Sequence, residues 1–224
     1  ESISLFHNRR NKNILKEKKM KIAIIGSGNV GGSLATAWAK KGHRIYIGAR
    51  NPEQFKGINL LKNENTTVHT IQEAVQLSDV ILLSTPALET IPVTVSLGDT
   101  TNKVIIDAMN IVNKQGPVGY TSTAHAILGH TQTKDIVKCF NTTGANNLTN
   151  PNYQNISLDT FMAGDSLKAK DIARTLALDI GFAECYDIGG NDKFELMEQF
   201  AFFWINLAMF QKMGREIGFK LLKR

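Results

Sequence analysis

Lys21-Ile22-Ala23-Ile24-Ile25-Gly26-Ser27-Gly28-Asn29-Val30-Gly31-Gly32-Ser33-Leu34-Ala35 is the stretch whose reading decides the fold. Its first five residues, apolar after Lys21, predict a buried strand. Gly26 to Gly28 form a tight turn, and Ser33 to Ala39 continue as a helix. A strand, a glycine-rich turn and a helix in that order hold a pyrophosphate on backbone N–H groups and on the positive end of the helix dipole. Gly26 permits the turn, Gly28 lets the backbone approach phosphate, and Gly31 lets helix and strand pack closely. A bare G-x-G-x-x-G also occurs in turns that bind nothing, but the flanking strand and helix supply the context that the motif requires. Gly26, Ser27, Gly28, Asn29 and Val30 are therefore the expected phosphate cradle.

Working outward, Lys40-Lys41-Gly42 ends the first helix and Arg44 to Gly48 is the second strand. Its tip is Ala49-Arg50-Asn51-Pro52. In such a unit an acidic residue at this tip binds the 2′-hydroxyl of NAD, whereas an arginine accepts the 2′-phosphate of NADP. No Asp or Glu is present there, and Arg50 follows Gly31 by 19 residues, so the spacing favours NADP over NAD, with Lys56 adding charge nearby. A surface arginine without a ligand is the alternative.

Further strands are expected at Thr67 to His69, Asp79 to Pro86 with a turn at its end, Lys103 to Asp107 and Asp135 to Phe140, with helices over Ile71 to Leu77 and up to Leu97. The strand ends carry Ser84-Thr85-Pro86, Met109-Asn110 and Asn141-Thr142, and open α/β sheets bind ligands at such ends. Residues Asn110 to Lys134 read as a loop containing His125 and His130, whose spacing matches no metal pair. Later come a strand at Phe161 to Gly164, a helix from Ser166 to Ile180 capped by Asp165 or Ser166, and a strand at Ala183 to Asp187. The ending, Phe194 to Ile217, reads as a helix apolar nearly all round, buried in its own domain or in a dimer contact. The fold class is α/β: a Rossmann-type, doubly wound, mostly parallel sheet in residues 20–224, with a small C-terminal helical and αβ extension over about 145–224.

Composition narrows the function classes. The chain has 224 residues, 42% hydrophobic and 21% charged, ordinary for one globular domain, and no apolar run approaches the ~18 residues of a membrane span. Residues 1–19 contribute +4 of the net charge of +6, and the remainder shows no basic stripe interleaved with aromatics. Nucleic-acid and membrane partners are therefore not expected. The tail 1–19 lacks an apolar targeting core and is expected to be disordered, appended or upstream sequence, with Met20 as the natural start and a targeting peptide as the alternative. Cys139 and Cys185 lie far apart and read as reduced strand residues of a cytoplasmic protein, with the N-x-S/T matches at Asn65, Asn141, Asn147 and Asn155 due to chance.

From Met20 onward the sequence resembles the coenzyme F420-dependent NADP reductases and their relatives, among them the oxidoreductase domains of STEAP metalloreductases. The resemblance is carried by Gly26-Ser27-Gly28-Asn29-Val30-Gly31, Ile47-Gly48-Ala49-Arg50, Val137-Lys138-Cys139-Phe140-Asn141-Thr142, Ala163-Gly164-Asp165 and Met213-Gly214-Arg215-Glu216-Ile217-Gly218-Phe219-Lys220. It implies NADP(H) held at Gly26 to Val30 and Arg50, with F420, FMN or FAD as the second redox ring. Ala49 stands where relatives often carry a serine beside the 2′-phosphate.

No nucleophile triad or paired carboxylates emerge from the strand-end residues, so no catalytic side chain is assigned. Hydride passing between stacked rings needs chiefly positioning. The expected function is an NADP(H)-dependent oxidoreductase that passes hydride to a flavin or deazaflavin, working as a homodimer. A non-catalytic NADP-binding module and a small-substrate dehydrogenase are the alternatives. The expected cofactor contacts are Gly26, Ser27, Gly28, Asn29, Val30, Arg50, Asn51, Ser84, Thr85, Pro86, Asn110, Asn141 and Thr142.

Overall fold

A computed structural model describes residues 19–224. The expected disorder of the basic tail falls on residues 1–18, outside the described residues; Lys19 is described, and its Nζ donates to the Lys41 carbonyl at 2.7 Å.

The chain runs β1 (Lys21–Ile25), α1 (Asn29–Lys40), β2 (Arg44–Ala49), β3 (Thr66–Thr70), α2 (Ile71–Leu77), β4 (Val80–Leu83), α3 (Thr90–Ser96), β5 (Val104–Asp107), α4 (Thr123–His130) and β6 (Ile136–Cys139). It continues through α5 (Ala145–Thr149), the hairpin β7 (Asn152–Tyr153) and β8 (Ile156–Ser157), β9 (Asp159–Ala163), α6 (Leu167–Asp179), β10 (Glu184–Asp187) and α7 (Phe194–Ile205). Eight strands form one sheet in the order β10-β9-β6-β5-β4-β1-β2-β3. All neighbours are parallel except β6 and β9. The fold is thus a Rossmann-type sheet, with β9 and β10 extending it beyond β6.

Side-chain alternation explains why both sheet faces are covered. Ile22, Ile24, Val80, Leu82, Val104 and Ile106 point to the side packed by Leu34 and Trp38 of α1 and by Ala173 and Leu176 of α6. Ala23, Ile25, Ile81, Leu83 and Ile105 point the other way, onto Ala74 and Val75 of α2, Ile127 of α4, and Phe194 and Met197 of α7. Central strands buried on both faces read as continuous apolar runs, as β4 and β1 do. Local signals agree: Thr70 and Glu73 form a reciprocal capping box at α2, and Ser166, not Asp165, caps α6 by accepting from the Ala169 N–H at 3.1 Å.

Two expectations are corrected. The segment taken as a loop from Asn110 to Lys134 contains α4, whose first turn is capped by the Ser122 hydroxyl. The final helix does not reach Ile217. Asn206–Phe210 form a π-helical turn, Lys212 and Gly214 take φ of 58° and 81°, and the Met213 and Gly214 N–H groups close back on Leu207 and Ala208. Left-handed residues stop a helix by turning the chain out of register. The chain then returns across the sheet: Phe219 stacks on Phe200 at 4.7 Å, and Lys220 Nζ pairs with Asp159 at 2.8 Å. Within the single chain the helix buries one side, leaving Phe202, Phe203, Met209 and Phe210 exposed. No helix among the described residues is long and apolar enough to cross a membrane.

Candidate functional site

The strand order reverses between β1 and β4, and a crevice opens there at the carboxyl ends of the strands. It is a cleft of about 570 Å³ whose lining includes Gly26, Ser27, Arg50, Phe55, Thr85 and Pro86. Its floor is the β1–α1 turn. Gly26 has φ of 101°, and a Cβ there would lie 2.6 Å from the Ser84 carbonyl. A Cβ on Gly31 would lie 1.9 Å from the Gly26 carbonyl oxygen. Both positions exclude every larger residue, the first by conformation as well as by contact. At Gly28, by contrast, a Cβ would meet nothing within 4 Å. Gly28 is the N-cap of α1, it offers no side-chain cap, and the first turn carries no acidic residue. The leading N–H groups of a twelve-residue helix thus face open space with no carboxylate in the helix's own first turn, which fits a phosphate.

Arg50 stands at the cleft rim, exposed, and no carboxylate among the described residues pairs with it. Its neighbour Asn51 is otherwise occupied. The Asn51 side chain accepts from the Glu53 N–H at 3.1 Å, capping the short turn Pro52–Gln54. Ser84 is likewise committed: its Oγ donates to the Gly26 carbonyl at 2.7 Å, locking the glycine turn against β4. Thr85 and Pro86 line the cleft, and the Thr85 hydroxyl donates to Met109 Sδ at 3.3 Å.

At the next strand ends the polar side chains face one another. Buried Phe140 ends β6 with φ of 65°, its ring edge-on to Trp38 at 5.5 Å. Asn141 and Thr142 are both buried. Asn141 Nδ2 donates to Asn110 Oδ1 at 2.8 Å and to the Met197 carbonyl at 3.2 Å, while Asn110 Nδ2 donates to the Asn141 carbonyl at 3.0 Å. Because both neighbours of the amide nitrogen are acceptors, its orientation is fixed, and the buried Oδ1 is left without a donor among the described residues. Asn110 is therefore clasped from behind by Asn141, and Thr142 lines neither this cleft nor the hollow beyond Ile111. That second hollow, of about 260 Å³, is lined by Ile111, Thr121, Glu195, Glu198, Gln199 and Phe202.

Sequence reasoning missed a buried ionic cluster beneath Met109–Ile111. Lys138 Nζ lies 2.8 Å from Asp107 Oδ2, 2.8 Å from the Met109 carbonyl, 2.9 Å from Thr123 Oγ1 and 3.1 Å from Glu198 Oε1. Asp107 Oδ1 accepts from the Met109 N–H, and the Glu198 carboxylate accepts from the N–H groups of Ile111 and Thr123. Lys138 and Asp107 are wholly buried and Glu198 nearly so. Burial pushes the Asp107 carboxyl above the usual range, against the pull of Lys138 and Thr123, and the Glu198 charge adds to the rise. The one sequence signal was a lysine in the middle of the buried run Ile136–Cys139, which periodicity cannot distinguish from an edge residue.

The two histidines of α4 serve local structure. His125 meets Ser122 Oγ at 2.9 Å and His130 meets the Ala126 carbonyl at 2.9 Å. No group of three His, Cys, Asp or Glu side chains among the described residues is placed to hold a metal. Cys139 and Cys185 are free and buried, with sulfurs 3.7 Å apart.

Comparisons with known proteins agree with this architecture. A candidate F420-dependent NADP-reductase from Arthrobacter sp. FB24 superposes with a TM-score of 0.78 at 21% identity, over 91% of this chain and all of its own. A hypothetical protein from Sinorhizobium meliloti gives 0.67 at 22% identity, over 80% of this chain and 89% of its own. A reductive aminase from Aspergillus terreus, solved with NADPH and ethyl-5-oxohexanoate, gives 0.62 at 17% identity; the match covers 87% of this chain but 63% of the aminase. Residues 21–111 match the family model described as NADP oxidoreductase, coenzyme F420-dependent. The matched residues build the glycine turn, the Arg50 tip and the Met109–Ile111 strand end.

Proposed function

We propose that this protein is an NADP(H)-dependent oxidoreductase that passes hydride between nicotinamide and a flavin or deazaflavin ring. The observation that carries the reading is the open α1 N-terminus at Gly28, continuous with a cleft that ends at an arginine unpaired among the described residues on one side and at Thr85 and Pro86 on the other. The backbone of Gly26 to Val30 would hold the pyrophosphate, and Arg50 the 2′-phosphate. Thr85, Pro86 and the Met109–Ile111 segment would carry the nicotinamide half. When bound, the dinucleotide supplies a hydride and its two electrons from the ring's C4. The residues present need only orient the two rings and exclude water between them. Asn141 acts on Asn110 as a positioning residue through the hydrogen bonds between their amide groups. The exposed Phe202, Phe203, Met209 and Phe210 support a homodimer through α7.

Arg50→Ala is expected to weaken NADPH about tenfold or more and leave NADH nearly unchanged, since one charge-assisted contact to phosphate contributes about 1.5–3 kcal/mol. Fluorescence titration with both nucleotides checks this, and equal losses would remove Arg50 from the 2′-phosphate site.

The activity itself is tested by mixing NADPH-loaded protein with F420, FMN, FAD or riboflavin and following NADPH absorbance. Oxidation of NADPH by at least one acceptor is expected, and Asn141→Ala should lower turnover more than NADPH affinity. Tight NADPH binding with no turnover on any acceptor would replace this reading with a non-catalytic nucleotide-binding module.

A further inference from the structure

The buried cluster beneath Met109–Ile111 holds two carboxylates and one ammonium, so it carries one negative charge in excess when all three are ionised. Its bonds fix the overlying backbone: Asp107 takes the Met109 N–H, Lys138 the Met109 carbonyl, and Glu198 the Ile111 N–H. The same segment reaches the nucleotide cleft through the bond from Thr85 to Met109. Relative exposures of 0% for Lys138 and Asp107 and 7% for Glu198 leave little water to screen the excess charge.

We propose that the Lys138–Asp107–Glu198 cluster biases the bound nicotinamide couple toward its oxidised form. This rests on the reading that nicotinamide lies over Met109–Ile111. The ring is neutral in NADPH and becomes a cationic pyridinium once its hydride has left for the acceptor. A fixed negative excess beneath it stabilises the cation and leaves the neutral ring almost untouched, so it favours hydride donation. The cluster acts by its field through the backbone it holds, and its members are positioning residues.

The test compares affinities for NADPH and NADP⁺ in the full chain at pH 8, for the parent protein, Glu198→Gln and Asp107→Asn, with 2′,5′-ADP as a ligand that lacks the nicotinamide. Each neutralising variant is expected to raise the ratio of the NADP⁺ dissociation constant to the NADPH one by about fivefold. Glu198→Asp, which keeps the charge, should stay near the parent ratio, and 2′,5′-ADP affinity should not move. Because each ratio compares two ligands on one sample, partial loss of folded protein cancels. An unchanged ratio in both neutralising variants, with nucleotides still bound, overturns the inference and leaves the oxidoreductase reading intact. Failure of the parent to bind NADPH while 2′,5′-ADP binds overturns the nicotinamide placement, and the inference with it.

Discussion

Lys138→Met is expected to destabilise the fold by about 3–5 kcal/mol, because it leaves two buried carboxylates without their cation. Lys138 Nζ is the shared partner of Asp107, Glu198, Thr123 and the Met109 carbonyl, and Asp107 is wholly buried. Urea unfolding at neutral pH measures the loss. The deficit should shrink as pH falls. A carboxyl whose folded-state pKa lies above its unfolded one penalises the fold when ionised, and protonation relieves that penalty; Asp107 is already raised in the parent. Adding Asp107→Asn to Lys138→Met should recover part of the loss, since the charge left unpaired is then gone. A variant as stable as the parent, or a deficit independent of pH, would show that the lysine contributes packing and not charge.

Gly31→Ala is the second large effect. The added methyl would stand 1.9 Å from the Gly26 carbonyl oxygen and 2.4 Å from Ser84 Oγ, and that carbonyl is itself held by the serine. Strand tip and helix must move apart, at about 1–3 kcal/mol. The N–H groups that face the phosphates move with the helix, so NADPH affinity should fall at least about tenfold, several contacts of about 1.5–3 kcal/mol each being misaligned. Gly28→Ala separates the two consequences, because its methyl meets nothing within 4 Å and its φ of −71° suits alanine. It should leave the melting temperature unchanged and still weaken NADPH, the methyl occupying the space where phosphate approaches. Unimpaired NADPH binding by Gly31→Ala would mean that this turn is not the phosphate site.

The sequence by itself determined the first strand and helix, the glycine turn and the Arg50 tip, because each depends on neighbours in the chain. An apolar run of four, a glycine in a left-handed turn and an arginine 19 residues after Gly31 are local facts, and β1, α1 and β2 fall where those facts put them. Helix α4 was missed for want of a long periodic pattern, though Ser122 was a legible cap. The end of α7 was missed because Lys212 enters a left-handed conformation that its side chain does not announce. Tertiary structure alone decided what the polar strand-end residues do. Ser84 and Asn51 meet backbone groups, Asn141 meets Asn110 and Met197, and Lys138 meets carboxylates 31 and 60 positions away. A buried polar side chain must find a partner wherever packing places one, and that partner can come from any part of the chain. Motif spacing could therefore locate the cradle, while the ionic floor beneath the neighbouring strand ends became visible only once β5, β6, α4 and α7 were brought together.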